Sequence, residues 1–512
     1  MILKIDGSIN RYYVQTLCMV FFPGATFSES EQSGPDVPEV TVSLTREGDT
    51  VRSVATMRVG DKETRGEGAS DVGTDKSAAR AEKIAVGRAV FAAGKAFFSY
   101  TPPWGILTGV RPAKVASELI AKGNGIRNSR AILRDQYFLN PRKAALAVSV
   151  ASTEMKLTQK LPSDLCSVYV SIPFCPSRCA YCSFVSYTSG KLLSLIDEYL
   201  LELYRDIDDI FATIRELGLR VATVYIGGGT PTVLSPLQMS RLLECIGRNV
   251  DPSTLLEFTV EAGRPDTITR EKLDAIREGG AGRISVNPQT LSDDVLRSIG
   301  RHHTVEEFYR AFATAREAGI GAINVDMIAG LPEDTFRIFS ESLDKVMDLT
   351  PENITVHTFC VKRSAALRQK DGIYALGSAD AAKSVEYSQM QTKLLGYRPY
   401  YMYRQKNTVG NLENVGYALP GTEGLYNIFM MEELHSIFAV GAGAVTKLVR
   451  RESPLAANAV IERIFMPKYP YEYLRDAARL RDGDAAAGLA SKRERILSFF
   501  KEKENDQSEN GI

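Results

Sequence analysis

Six short β-rich runs recur between residues 166 and 359, each followed by text with helical periodicity. They read 166-CSVYVSI-172, 222-ATVYIGG-228, 256-LEFTVEA-262, 282-GRISVNP-288, 322-AINVDMI-328 and 353-NITVHTF-359. Mostly apolar rather than strictly alternating, they match strands buried on both faces of a parallel sheet. Between them, Ile196, Tyr199, Leu200, Leu203, Ile207, Ile210 and Ile214 keep the helical period over about five turns. Ser235-Pro236-Leu237-Gln238 supplies an N-cap, a proline at the first helical position and a capping-box partner. Thr304-Val305-Glu306-Glu307 repeats the box. Strand, helix, strand repeated in this way demands right-handed crossovers and a parallel sheet. The expected class is therefore α/β, with a partial (β/α)6 TIM-type barrel at its centre. In that architecture the residues at strand C-terminal ends line the site.

At 512 residues the chain is too long for one ordinary core. An N-terminal α+β domain with a helical connector is expected over 1–160, the barrel core over 161–365, a mostly helical C-terminal domain over 366–490 and a tail over 491–512. The first region holds strand-like runs at 15-QTLCMVFF-22 and 39-EVTVSLT-45, a polar loop at 27–40 and a helix at about 77–97. The Pro and Gly breaks of 102-PPWGILTGVRPAK-114 make a loop. Its Trp104, the sole tryptophan, is read as a packing anchor. The C-terminal region is rich in Tyr and Gly, with aromatic-basic text at 397-YRPYYMYRQKN-407, and the tail begins helical and ends polar and disordered.

Lys plus Arg equals Asp plus Glu, at 62 each, and residues 1–100 contain no basic run, which argues against nucleic acid as a partner. No apolar run approaches the roughly 18 residues of a spanning helix. The start, MILKIDGSINRYYVQ, lacks a signal layout. A cytoplasmic monomer without membrane contact is expected. Seven clustered, odd-numbered cysteines do not resemble a secreted disulfide framework, and four histidines make a His-rich metal site a poor reading.

The cysteines of 172-IPFCPSRCAYCSF-184 follow the first strand directly. Cys175, Cys179 and Cys182 on a Pro-rich loop are poor core design. Structural zinc wants four ligands, and no further Cys or His lies close in sequence. A four-iron cluster with three protein thiolates, its fourth iron open to a small chelating ligand, fits better. After the second strand, 227-GGGTPT-232 lets backbone approach a ligand closely. After the third, Glu261 places a carboxylate acceptor at a strand end. Gln289, Arg301 and Asp326 sit at or near the ends of later strands, and His302 and His303 read as helix-start or pocket-lining residues rather than metal ligands.

The Cys-x3-Cys-x2-Cys spacing after a barrel's first strand resembles the radical S-adenosylmethionine (SAM) superfamily. There, SAM binds the open iron of a [4Fe-4S] cluster, and an electron from the cluster cleaves it to a 5′-deoxyadenosyl radical. IPFCPSRCAYCSF, YIGGGTPT, the Glu-bearing third strand, VNPQT, IGRHHT and NVDMIAGLP, in that order, resemble oxygen-independent coproporphyrinogen III oxidases (coproporphyrinogen dehydrogenases). The resemblance covers about 165–450, including 395-LGYRPYYMYRQKN-407 and 438-FAVGAGAV-445 as that family's C-terminal domain. PWGILTGVRP, YYMYRQKNTVGNLENVGY and MMEE are similar to its HemZ-like branch.

The resemblance implies that Tyr169, Tyr181, Gly228, Gly229, Thr230, Glu261, Gln289, Arg301, Asp326, Cys360 and Val445 surround SAM, with Tyr181 near adenine and Cys360 contributing backbone. It also implies a low-potential electron donor and a tetrapyrrole substrate, two propionates of which are oxidatively decarboxylated to vinyl groups in haem biosynthesis. Arg264, Lys362, Arg363, Arg404 and Lys406 are candidates for the substrate carboxylates, because cations near the strand ends match them. Phe184 stands where a better-known form of the family has a further cysteine. Two rivals are another radical reaction on a tetrapyrrole and a haem chaperone. The chaperones resemble a chain with a C-terminal His-Asn-x-x-Tyr-Trp motif, where this sequence has 411-NLENVGY-417.

Overall fold

Polar and apolar residues alternate along the barrel strands, and this alternation decides which face can hold a ligand. The computed structural model describes residues 1–28, 36–73, 77–109, 111–182, 187–360, 378–405, 408–451, 459–483 and 490–509. It divides into two units, one of Met1–Met155 with Met402–Glu413, the other mainly of Lys156–Ile373, Ala379–Tyr401 and Asn414–Ile512.

In the first unit, β1 (Ile2–Asp6), β2 (Glu39–Glu47), β3 (Thr50–Val59) and β4 (Lys62–Asp71) form one sheet in that order. β1 runs parallel to β2, and the others are antiparallel. The helix Ala78–Phe98 lies directly on β4. A Cβ at Gly66 would stand 2.3 Å from the Ala89 carbonyl oxygen, and one at Gly68 2.1 Å from that of Ala85, so only glycine permits this approach. The run expected as a strand at 15–22 is instead part of the helix Arg11–Phe21. The Asn10 side chain caps it through the Tyr13 N–H at 2.9 Å. Val14, Leu17, Cys18 and Phe21 then bury one helical stripe, a spacing of three and four that outweighs β propensity.

The second unit contributes β5 (Leu165–Ile172), β6 (Arg220–Gly228), β7 (Glu257–Glu261), β8 (Arg283–Ser285), β9 (Ala322–Ala329) and β10 (Asn353–Thr358). Each is parallel to the next, in sequence order, as the repeated strand-helix pattern requires. After residue 366 helices outweigh strands, and β11 (Arg398–Arg404), β12 (Glu413–Ala418), β13 (Ile437–Val440), β14 (Val445–Arg451) and β15 (Ala459–Phe465) join the same sheet. β12 pairs antiparallel with β10, and β13 adds a parallel strand beside β5. The last helix, Ala490–Glu509, runs further than the expected disordered end, through Lys- and Glu-rich text with good helix propensity.

The expectation of uniformly apolar strands needs correction. Val168, Val170, Val224, Ile226, Val260, Ile284, Val325 and Val356 occupy one buried face. The register places Tyr169, Tyr225 and Thr259 abreast on the other, then Glu261, Ser285 and Asn324, then Asp326 and Thr355. Both faces are covered, yet only one is apolar, and the other carries polar side chains that need partners.

Trp104 is fully buried, the packing anchor expected from sequence. Its indole N–H donates to Glu413 Oε2 at 2.8 Å, and Lys143 Nζ lies 2.5 Å from Glu413 Oε1. Burial pushes the Glu413 carboxyl up, but Lys143 and Trp104 outweigh it and hold the carboxyl below its ordinary 4.5. The pair therefore stabilises the fold above the unfolded carboxyl's range and loses that contribution as pH falls through the depressed value. Glu413→Gln strands a buried ammonium, and equilibrium denaturation at pH 7 is expected to show a loss of about 3 kcal/mol.

Candidate functional site

β5 leads through Pro173 into the cysteine loop. Cys175 and Cys179 are buried and Cys182 is half-buried. Cys175 N donates to Tyr187 O at 3.1 Å and Tyr187 N to Pro173 O at 3.0 Å, closing the loop at its base. Ala180 N donates to Ile299 O at 2.9 Å, fixing its far side just before Arg301.

Two buried guanidiniums flank the thiols. Arg264 donates to both Asp266 oxygens at 3.0 and 2.9 Å and to Ser177 Oγ at 2.8 Å. Its Nη1 also reaches Cys179 Sγ at 3.9 Å. Arg301 donates to Tyr181 Oη at 3.1 Å and to the Gly263 and Asn287 carbonyls at 2.9 and 2.7 Å. His303 accepts from Arg301 Nε at 3.3 Å, and burial followed by that cation pushes it down to about 3. It is a neutral, cation-facing imidazole.

The glycine run lies against the same junction. Gly229 N donates to Ile172 O and Thr230 N to Phe174 O, both at 2.7 Å. A Cβ at Gly229 would fall 2.4 Å from the Phe174 oxygen, and Gly228 has φ 109°. Thr230 Oγ1 is 3.2 Å from Cys175 Sγ. The glycines thus serve the cluster loop's backbone as well as any ligand.

On the polar face of the sheet, Tyr225 Oη donates to Glu261 Oε1 at 2.5 Å. Burial pushes the Glu261 carboxyl up to about 7, with Tyr225 pulling it down and Asp326 raising it. Tyr426 stacks on Tyr225 at 4.4 Å between ring centroids, and Tyr169 stacks on both at 6.1 and 6.3 Å. The Tyr426 hydroxyl is buried without a hydrogen-bond partner among the described residues. Asp326 accepts from Asn287 at 2.8 Å and Asn324 at 2.7 Å. Burial opposes its ionisation, yet His357, Asn324 and Thr355 together hold its carboxyl below the ordinary value.

Gln289 has φ 71°, a strained value for a residue with a Cβ. The residue is 7% exposed, and its Oε1 is a buried acceptor without a hydrogen-bond partner among the described residues. Sequence reading named neither Tyr225, Tyr426, Asn287 nor His357. Period-two alternation within ATVYIGG and NITVHTF could have placed Tyr225 and His357 on the Glu261 face, whereas nothing in 424-GLYNIFMMEE-433 marks Tyr426.

Three other expected residues are placed by the elements that carry them. Val445 opens β14, and Cys360 follows β10. Arg404 belongs to the first unit. Its guanidinium donates to Leu107 O and to Asn411 Oδ1, the latter at 2.6 Å, and lies over Trp104. Burial lowers Arg404 to about 10. Arg264 spends its donors inside the protein, and Arg404 spends both terminal nitrogens there, while its Nε has no hydrogen-bond partner among the described residues. Phe184, Lys362, Arg363 and Lys406 lie outside the described residues.

Residues 169–346 match the Radical SAM superfamily. The oxygen-independent coproporphyrinogen-III oxidase-like protein HemZ of Bacillus subtilis is 37% identical over 404 residues, 78% of this chain and 80% of that protein. This chain belongs to that family. The heme chaperone HemW of the same organism is 32% identical over 282 residues, 54% of this chain and 70% of the relative. Coproporphyrinogen III oxidase, anaerobic 1, of Cereibacter sphaeroides is 30% identical over 210 residues, 41% of this chain and 46% of the relative.

Radical SAM membership implies a [4Fe-4S] cluster and SAM as cofactors, and the residues present fit both. Among the described residues, no three His, Cys, Asp or Glu side chains group around a single ion. A cluster asks for something else, one thiolate for each of several irons. The three thiols of the cysteine loop suit that need, and the Gln289 oxygen, without a partner among the described residues, is an acceptor that suits a polar group of SAM.

Because Glu261 titrates near 7 rather than 4.5, the fold loses a stabilising contribution as pH rises through about 7. In Glu261→Gln that loss is absent, and at pH 8 the melting temperature of the protein is expected to rise by about 2–4 °C. The same variant should bind SAM roughly tenfold more weakly by equilibrium titration, since a charged acceptor is lost.

Proposed function

We propose that this chain is an oxygen-independent coproporphyrinogen III dehydrogenase that decarboxylates two propionate side chains to vinyl groups. The observation that carries the reading is the placement of the cysteine loop, the glycine run, Glu261 and Gln289 at the C-terminal ends of neighbouring parallel strands, in a chain 37% identical to HemZ. When bound, the cluster and SAM supply a carbon radical able to take a hydrogen atom from a propionate β-carbon. Loss of CO2 and one further electron then leaves the alkene, so an acceptor for that electron and a donor for the cluster are required partners.

This chain's residues have the tasks of binding, orienting and excluding water. Cys175, Cys179 and Cys182 are the thiolates for three irons. Arg264 and Arg301 offset their charge and hold the loop. The backbone of Gly228, Gly229 and Thr230, with Gln289 Oε1 as acceptor, suits an amino acid's ammonium group. Glu261 and Asp326 suit hydroxyls, and Tyr169 and Tyr181 offer aromatic faces. Cys360 and Val445 complete the proposed set through their backbone. With Arg264 and Arg404 internally engaged, Lys362, Arg363 and Lys406 are the remaining candidates for substrate carboxylates.

Haem binding without turnover is the second reading, favoured by the 32% identity to a heme chaperone. Against it, Asn414, Val415 and Tyr417 of the segment that differs from the chaperone motif are buried in β12. Anaerobic incubation with coproporphyrinogen III, SAM and a low-potential reductant decides between them. Mass spectrometry is expected to find mono- and divinyl products alongside 5′-deoxyadenosine. Tight haem binding with no SAM cleavage would establish the chaperone, and deoxyadenosine without vinyl product would point to another tetrapyrrole. Among the described residues no helix is long and apolar enough to cross a membrane.

A further inference from the structure

The end of β5 is held from behind by residues that arrive late in the chain. Tyr199, on the helix Ile196–Glu216, is fully buried. Its hydroxyl donates to Ser171 O at 2.8 Å and accepts from Ala442 N at 3.0 Å. Ser171 Oγ in turn donates to Ala442 O at 2.8 Å. The turn after β13 must pass tightly here: Gly441 has φ 89°, and a Cβ on it would stand 2.5 Å from the Tyr199 hydroxyl.

That turn is itself tied down. Gly441 N donates to Asp206 Oδ2 at 3.1 Å, as does the Tyr473 hydroxyl at 3.1 Å. Lys492, almost fully buried, donates to Asp206 Oδ1 at 2.8 Å. Tyr473 belongs to the helix Pro470–Arg481 and Lys492 to the helix Ala490–Glu509. On the other side, the Tyr199 ring meets Phe174 edge-on at 5.2 Å. Phe174 precedes the first cluster cysteine, and its carbonyl holds Thr230. Tyr469, at the start of the same C-terminal helix, also packs against Tyr187 at 5.3 Å, where the cysteine loop closes.

We infer that Tyr199, Asp206, Tyr473 and Lys492 form a latch that positions Cys175, so that the last helices of the chain set the geometry of the cluster loop. They are positioning residues: Tyr199 acts through Ser171 and Phe174, Asp206 through the Gly441 turn, and Tyr473 and Lys492 through Asp206. The inference depends on the cluster and not on which substrate is turned over. A buried polar network of this kind over-determines one arrangement of the loop, and its loss would let the first thiolate drift.

Tyr199→Phe in the full-length, anaerobically reconstituted protein tests it, with Tyr397→Phe as the matched control. Tyr397 is also buried, and its hydroxyl donates to Pro351 O at 2.6 Å, just ahead of β10. Each variant removes one buried tyrosine hydroxyl, with two hydrogen bonds lost at residue 199 and one at residue 397. Tyr199→Phe is expected to change the electron paramagnetic resonance signal of the reduced cluster and to weaken SAM binding about tenfold. Tyr397→Phe is expected to leave both as in the parent protein. Equal spectra and equal SAM affinity in the two variants would overturn the latch. Should Tyr199→Phe fail to fold, Lys492→Met decides by the same readouts, and a parent-like spectrum there overturns it as well.

Discussion

Two backbone hydrogen bonds, from Gly229 N to Ile172 O and from Thr230 N to Phe174 O, join the strand that ends in the cysteine loop to the strand that ends in glycines. Everything at the site is registered to that pair. It places Thr230 beside Cys175, and it works only because a methyl group at residue 229 would collide with the Phe174 carbonyl. From there the parallel register carries the polar face across β7, β8, β9 and β10, so Glu261, Asp326 and Thr355 inherit their positions from one close contact.

The six strands and their order were legible because burial leaves a period in the text and crossover chirality leaves one arrangement. The cysteine loop was legible because three thiols in so short a span satisfy few other purposes. What escaped was the chemistry of the strand faces. Reading CSVYVSI and AINVDMI as apolar averaged over two faces that differ, although Tyr169 and Asp326 themselves were singled out. The helix Arg11–Phe21 escaped because Thr, Val and Phe favour strands locally, whereas Asn10 and the buried stripe favour a helix.

Long-range partners were the least legible. Arg264 sits near a strand end, as a substrate-binding cation would, but two residues on stands Asp266, its bidentate acceptor. Arg404 lies in aromatic-basic text, yet its guanidinium serves the first unit through Asn411 and Trp104. Charge and position in sequence suggested ligands, whereas pairing within the fold decides whether a guanidinium has a donor to spare. Tyr426 had no signal at all, since its meeting with Tyr225 joins residues far apart in the chain.

Glu413 has a temporal consequence. Trp104 and its carboxylate acceptor are 309 residues apart. At about 5–20 residues per second, the ribosome needs roughly 15–60 s to deliver the second after the first. Throughout that interval Lys143 and the indole N–H have no carboxylate to bury against. The amino-terminal unit is thus made first and completed late, and a nascent chain interrupted before residue 413 holds a core with its central charge missing.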